Sequence, residues 1–200
     1  MRKGAIILAA GQGTRCNRKK QFLELDHKTL WKHVYDKTRE ILDNDNIIVV
    51  GVDIEGGNTR TQSVMKGLQN LDVLTERVII LEAARPLVTL EQVRILLEDE
   101  QESVAFVSPL TNTVMQRDGG YLNREELYEL LTPQAFSYPL LLEAYESGEF
   151  SDMTDETRVM FEYHKIKPKL IETGQNLLKV TYPEDIAIIE LLYQRQKEEK

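Results

Sequence analysis

Short apolar runs and amphipathic stretches alternate along the first half of the chain. Strand-like apolar runs fall at residues 5–8, 47–51, 77–81 and 104–107, each the length of a buried strand. Between them, apolar residues recur at helical spacing over residues 29–42, 61–71 and 89–97. Buried strands separated by helices predict an α/β fold, a mostly parallel central sheet flanked by helices in a Rossmann-like arrangement. Ligands of such sheets bind beyond the carboxyl ends of the strands. The loops at residues 10–20, 53–60 and 82–88 are therefore expected to converge on one site.

The second half is less regular. Residues 111–123 carry Gly119-Gly120 between two short extended pieces, which reads as a hairpin. Helices are predicted at residues 124–131, 138–146 and 155–163, and a further strand at 169–172. Pro183 opens a closing helix whose apolar face is Ile186, Ile189 and Tyr193. With no repeat, linker or low-complexity tract, the chain reads as one domain over residues 1–200, with about 109–123 forming a short β-arm.

Composition narrows the function classes. The 200 residues are 42% hydrophobic and 29% charged, ordinary for a soluble globular protein. A net charge of −8 argues against a general nucleic-acid binder. No apolar run approaches transmembrane length, and the first strand begins too early to leave room for a signal peptide. The single cysteine, Cys16, excludes an internal disulfide framework and fits a reducing cytoplasm.

Against that acidic background the opening segment stands out. A buried strand runs into Ala9-Ala10-Gly11-Gln12-Gly13, and Arg15, Arg18, Lys19 and Lys20 follow at once. Glycines let backbone N–H groups approach an anion closely, and the basic side chains neutralise it. The combination reads as a nucleoside triphosphate site. It is neither a dinucleotide fingerprint, since Cys16 stands in the third glycine position, nor a Gly-Lys-Ser/Thr phosphate loop.

Motifs in order along nearly the whole chain resemble the 2-C-methyl-D-erythritol 4-phosphate cytidylyltransferases and their ribitol-5-phosphate cytidylyltransferase relatives. The family's Ala-Ala-Gly-x-Gly-x-Arg runs from Ala9 to Arg15, and its Lys-Gln-Phe from Lys20 to Phe22. Gly-Gly-x-x-Arg-x-x-Ser-Val runs from Gly56 to Val64, and Asp-Ala-Ala-Arg-Pro corresponds to Glu82 to Pro86. Thr-Pro-Gln-x-Phe runs from Thr132 to Phe136, Thr-Asp-Glu/Asp from Thr154 to Glu156, and Lys-x-Thr-x-Pro-Glu-Asp from Lys179 to Asp185.

The resemblance implies a nucleotidyltransferase fold and a reaction in which CTP and a small polyol phosphate give a CDP-polyol and pyrophosphate. It further implies Arg15, Lys20 and Lys179 as catalytic cations. Ala9, Ala10, Gly11, Gly13, Gly56, Gly57, Asn58 and Ser63 would form the nucleotide pocket, with capping of a helix start as the plainer role for Ser63. Arg85, Arg124, Thr132 and Thr154 would meet the acceptor, Arg124 from the partner subunit of a homodimer. A divalent cation, most simply Mg²⁺, would sit by Glu82. Asp155 is equally suited to cap the helix that follows it.

The chain also departs from the family pattern. Glu82 replaces the motif aspartate, and Lys19 replaces the usual proline before Lys-Gln-Phe. Asn176 falls one residue out of register, and the family's extra helix and strand before Gly56 are missing. These departures leave open ribitol 5-phosphate or another polyol phosphate as the acceptor, and a non-catalytic CTP-binding paralogue as a different kind of protein.

Overall fold

The apolar segments at the start of the chain pair because each buries both faces. Strand β1 (Lys3–Leu8) runs parallel to β4 (Ile47–Val50) on one side and β5 (Arg77–Glu82) on the other. The structure, a computed structural model, describes residues 1–13, 19–150, 153–174 and 177–198. Its main sheet has the strand order β10 (Lys169–Glu172), β6 (Ser103–Pro109), β9 (Tyr128–Ser137), β5, β1, β4. Strand β6 pairs in parallel with β10, and β9 lies antiparallel between β5 and β6. The sheet is therefore mostly parallel, with one reversed strand near its centre. A two-stranded ladder joins β2 (Glu24–Leu25) to β3 (Lys28–Thr29) beside the first loop.

Alternation along the strands divides the interior in two. Ala5 and Ile7 of β1 and Ile79 and Leu81 of β5 face α1 (Leu30–Arg39) and α3 (Leu90–Glu98). Ile6, Val78 and Ile80 face α2 (Arg60–Asn70), α4 (Tyr138–Glu146) and α5 (Glu156–His164). A third cluster seats Ile189 of α6 (Asp185–Glu198) and Val180 against Leu25, Leu30 and Leu87. The last helix thus packs over the elements flanking the first loop and the turn after β5. Among the described residues no helix is long and apolar enough to cross a membrane.

The helix expected at residues 124–131 is a correction. A single 3₁₀ turn, Arg124–Glu126, leads directly into β9. Leu127, Leu130 and Leu131 have helical spacing, but the chain from Leu131 to Phe136 is buried between two strands, and ladder pairing overrides local preference. Pro133 is tolerated there because the register jumps from Gln134–Ala105 to Leu131–Phe106, leaving Thr132 and Pro133 outside the ladder as a bulge. The hairpin around Gly119-Gly120 is present as β7 (Val114–Met115) and β8 (Tyr121–Leu122). Helix α1 ends at Arg39, short of residue 42, and α6 begins at Asp185, two residues after Pro183.

Candidate active site

A cavity of about 480 Å³ opens at the carboxyl ends of β1 and β5, where the three loops meet. Its floor is the chain leaving β1. The Ala9 N–H donates to the Val50 carbonyl (2.8 Å), and the Ala83 N–H donates to the Leu8 carbonyl (3.1 Å), so the floor is an extension of the sheet. Backbones crowd here. Gly51 has φ +102°, and a Cβ on it would lie 2.6 Å from the Ala9 carbonyl oxygen. A Cβ on Gly56 would lie 2.2 Å from that of Ala10.

One wall is the approach to α2. Thr59 caps that helix, accepting from the Gln62 N–H at 3.2 Å. Ser63, expected either in the nucleotide pocket or as a cap, lies one turn in. Its hydroxyl accepts from the Gly57 N–H (3.0 Å) and donates to the Thr59 carbonyl (3.0 Å). The Asn58 N–H donates to Gln62 Oε1 (2.7 Å). Ser63 therefore both lines the cavity and shapes the loop that borders it.

The cations are held by named partners. Lys20 Nζ, at the cavity edge, donates to the Val180 carbonyl at 3.0 Å. Lys179 Nζ pairs with Glu82 Oε2, and Arg60 Nη2 lies 4.0 Å from Glu82 Oε1. Burial alone would raise the Glu82 carboxyl, but Lys179, Arg60 and Arg85 outweigh it and hold it below the usual carboxylate range. Arg60 also grips Glu156 with both terminal nitrogens, Nη2 to Oε2 at 2.8 Å. Glu156 has no solvent exposure and accepts a third bond from the Tyr145 hydroxyl at 3.0 Å. Burial lowers the Arg60 guanidinium, and Glu156 and Glu82 more than reverse it, so the net direction is upward. Burial and Glu156 push the Tyr145 hydroxyl up.

Ala9, Ala10, Gly11, Lys20, Gly57, Asn58, Ser63, Glu82 and Lys179 all border this cavity. Gly56 backs onto it through its contact with Ala10, and Gly13, with φ +66°, lies just beyond its lining. Arg15, Cys16 and Asn176 lie outside the described residues. Arg85 and Thr132 come together away from the cavity lining. Arg85 Nε donates to Thr132 Oγ1 (2.9 Å), and its Nη1 donates to the Leu177 carbonyl, with both side chains buried. Thr154 is exposed immediately before Asp155, which caps α5 by accepting from the Thr157 N–H at 2.9 Å. Arg124 borders a separate cavity of about 420 Å³ at the foot of the hairpin and donates to the Thr111 carbonyl.

Among the described residues no three His, Cys, Asp or Glu side chains gather as a metal site. Among the described residues Glu82 is the one carboxylate in the cavity lining, and its side chain is 13% exposed. That donor set fits an ion such as Mg²⁺, which typically takes one or two carboxylates together with substrate phosphates. Arg60, Glu156 and Tyr145 received no role from the sequence. The available signal was positional, since Arg60 is the arginine of the Gly56-to-Val64 motif and Glu156 closes the motif that starts at Thr154.

Over nearly its whole length the chain is similar to known proteins. The family model described as 2-C-methyl-D-erythritol 4-phosphate cytidylyltransferase matches residues 34–195. The protein of that name from Haemophilus influenzae strain PittGG is 31% identical over 220 aligned residues, covering 96% of this chain and 97% of the relative. That from Thermotoga neapolitana is 32% identical over 218 residues, covering 94% and 95%. Alignments longer than this 200-residue chain mean that the relatives carry segments it lacks. Among solved structures, 4-diphosphocytidyl-2C-methyl-D-erythritol synthase from Anaerococcus prevotii superimposes with a TM-score of 0.81 at 24% identity, covering 96% of each chain. The bifunctional IspDF of Campylobacter jejuni superimposes at 0.79 with 26% identity, covering 94% of this chain and 54% of that one.

Proposed function

The chain belongs to the 2-C-methyl-D-erythritol 4-phosphate cytidylyltransferase family, and from that premise we propose how its own residues carry the reaction. The enzyme transfers CMP from CTP to 2-C-methyl-D-erythritol 4-phosphate. An oxygen of the acceptor phosphate attacks the α-phosphorus of CTP. The bond from that phosphorus to the oxygen bridging to the β-phosphate breaks, and pyrophosphate leaves with the bonding electrons. The protein forms no covalent bond in this scheme, so its work is placement and charge neutralisation.

The triphosphate lies over Ala10 and Gly11, whose backbone faces the cavity, within reach of Lys20 and Lys179. Gly57 and Asn58, held by Ser63 and Gln62, border the cytosine and ribose. Lys20 leaves the Val180 carbonyl for a phosphate oxygen, stabilising charge that grows as pyrophosphate departs. Arg15 is assigned the same task on the family motif. Glu82 is the residue that would hold a divalent ion, which would supply Lewis-acid neutralisation of the triphosphate. Acceptor contacts are assigned to Thr154 and to Arg124. Since Arg124 lies at the foot of the hairpin, away from its own chain's cavity, it serves a partner's site in a homodimer. Arg85 and Thr132 act together behind the acceptor side, as a buried pair that fixes the turn after β5. The single cysteine supports a reducing, cytoplasmic setting.

One observation carries this reading: Lys20, Arg60 and Lys179 gather with one carboxylate, Glu82, around a glycine-floored cavity at the strand ends. The test is pyrophosphate release from CTP, Mg²⁺ and the methylerythritol phosphate, measured for the natural protein and for Lys20→Ala. The variant is expected to lose about 10²–10³-fold in kcat while still melting cooperatively, because Lys20 lies at the cavity edge and not in the core. Turnover near normal in the variant removes Lys20 from the mechanism. A larger thermal shift with UTP or dTTP than with CTP overturns the nucleotide.

A further inference from the structure

Glu156 is a carboxylate with no solvent exposure, held from three sides by donors. Both terminal nitrogens of Arg60 reach it, and the Tyr145 hydroxyl closes the third side at 3.0 Å. Such a pair is an uneconomical way to gain stability. Desolvating the two charges offsets most of their attraction, and apolar residues of similar volume do as well or better. What a bidentate guanidinium–carboxylate pair provides is fixed orientation.

The ends of this pair lie at informative places. Arg60 is the first residue of α2, directly after the cap Thr59 and two residues after Asn58 at the cavity. Glu156 is the first residue of α5, two residues after Thr154. The ion pair therefore bolts the start of the nucleotide-side helix to the start of the acceptor-side helix. It spans 96 residues of chain, and Arg60 sits in the cavity wall 4.0 Å from Glu82. No other ion pair among those described joins these two helices.

We propose that Glu156 is a positioning residue for the transfer step: through Arg60 it sets the distance and angle between bound CTP and the acceptor phosphate, with Tyr145 holding Glu156 in turn. In-line displacement responds steeply to such placement, and an error of about 1 Å costs on the order of 10²-fold in rate. The proposal rests on the reaction assigned above.

The test measures pyrophosphate release against CTP concentration at saturating acceptor for Glu156→Gln, Tyr145→Phe, Arg60→Met and the double variant Arg60→Met/Glu156→Gln. Glu156→Gln is expected to lower kcat by about 10–100-fold while the KM for CTP stays within about threefold, the split expected when placement fails but ground-state binding survives. Tyr145→Phe moves kcat the same way by about 3–10-fold. The double variant loses no more than Arg60→Met alone, because one device has been removed twice. A cooperatively melting Glu156→Gln with kcat within twofold of the natural protein overturns the role, as do single losses that multiply in the double variant. Should Glu156→Gln not fold, Tyr145→Phe decides, since it leaves the ion pair in place. Unchanged kcat there is equally fatal. A natural protein that releases no pyrophosphate removes the reaction and this role together, which separates that failure from a working enzyme indifferent to Glu156.

Discussion

The two cavities are built on opposite terms. At the strand ends, charges meet partners within the chain: Lys179 meets Glu82, Arg60 meets Glu156, and Lys20 meets the Val180 carbonyl. The elements around them are core strands and the first turns of well-packed helices. At the foot of the arm, the walls are an irregular segment and the outer end of β9, and the hairpin above consists of two strands of two residues each. Met115, Tyr121, Leu122, Tyr128 and Leu130 are all exposed there, Tyr121 by 75%. On our assignment, which gives Arg124 to a partner's site, these exposed side chains are where a second copy would sit. One cavity is lined by core strands and helix starts, and the other by the base of a thin arm.

Combining variants from the two regions gives the largest expected effect. Lys20→Ala disables the strand-end cavity of its own chain. Arg124→Ala disables, on our assignment, the acceptor site of the neighbouring chain. Each alone is expected to be poor, the second through an acceptor KM raised by about 10–100-fold with the CTP KM unchanged, because the lost contact is a charge-assisted phosphate bond. Mixed after partial unfolding and refolding together, the two should recover up to about a quarter of natural activity, since random pairing makes half the dimers mixed and each mixed dimer has one intact site. Recovery no greater than the sum of the separate activities would place Arg124 outside a shared site.

Much of the strand-end cavity was legible in the sequence, because short-range signals define it. Buried strands alternate with helices, so loops carrying Gly, Lys and Glu had to meet at one sheet edge. Two parts were not legible, each for a physical reason. Strand β9 is buried along its inner half and exposed along its outer half, so it shows no single-face alternation. Leu127, Leu130 and Leu131 then mimic a helix, and the bulge at Thr132-Pro133 hides the continuity of the strand. The Arg60–Glu156 pair joins residues 96 positions apart, and no local pattern announces a contact of that range. Arg85 shows a further limit. A motif gives a residue's place in the chain but not its direction, and here the side chain turns inward to Thr132.

A stability comparison between core and arm comes next in size. A Cβ on Gly67 of α2 would lie 2.6 Å from Ile6 Cγ2, a side chain with no exposure. Gly67→Ala should cost about 1–3 kcal/mol from overpacking, less up to about 1 kcal/mol gained in helix propensity. Tyr121→Ser in the arm should cost the isolated chain under about 0.5 kcal/mol. Denaturant melts of both variants at concentrations that keep the chain monomeric provide the check. An arm variant as damaging as the core variant would show that the arm supports the fold.

The smallest expected effect is a pH dependence seated under α6. His33 is 4% exposed, with its Nε2 lying 2.7 Å from the Leu25 carbonyl and its ring edge-on to Tyr193 at 5.1 Å. Burial lowers its pKa from the ordinary 6.5, the Leu25 carbonyl opposes that, and Lys37 and Lys28 add to the lowering. Below pH 6.5 the unfolded chain takes up a proton here that the folded chain resists. Folding stability contributed by His33 is therefore complete above pH 6.5 and declines as the pH falls toward the depressed folded value. The decline is at most about 1.4 kcal/mol per pH unit, the limit for one proton. Thermal melts of the natural protein and of His33→Gln, which retains an N–H for the Leu25 carbonyl, should diverge in slope between pH 6.5 and 5. His27 and His164 are present in both proteins and cancel in that comparison. Parallel slopes would mean that the closing helix tolerates a charged imidazole beneath it.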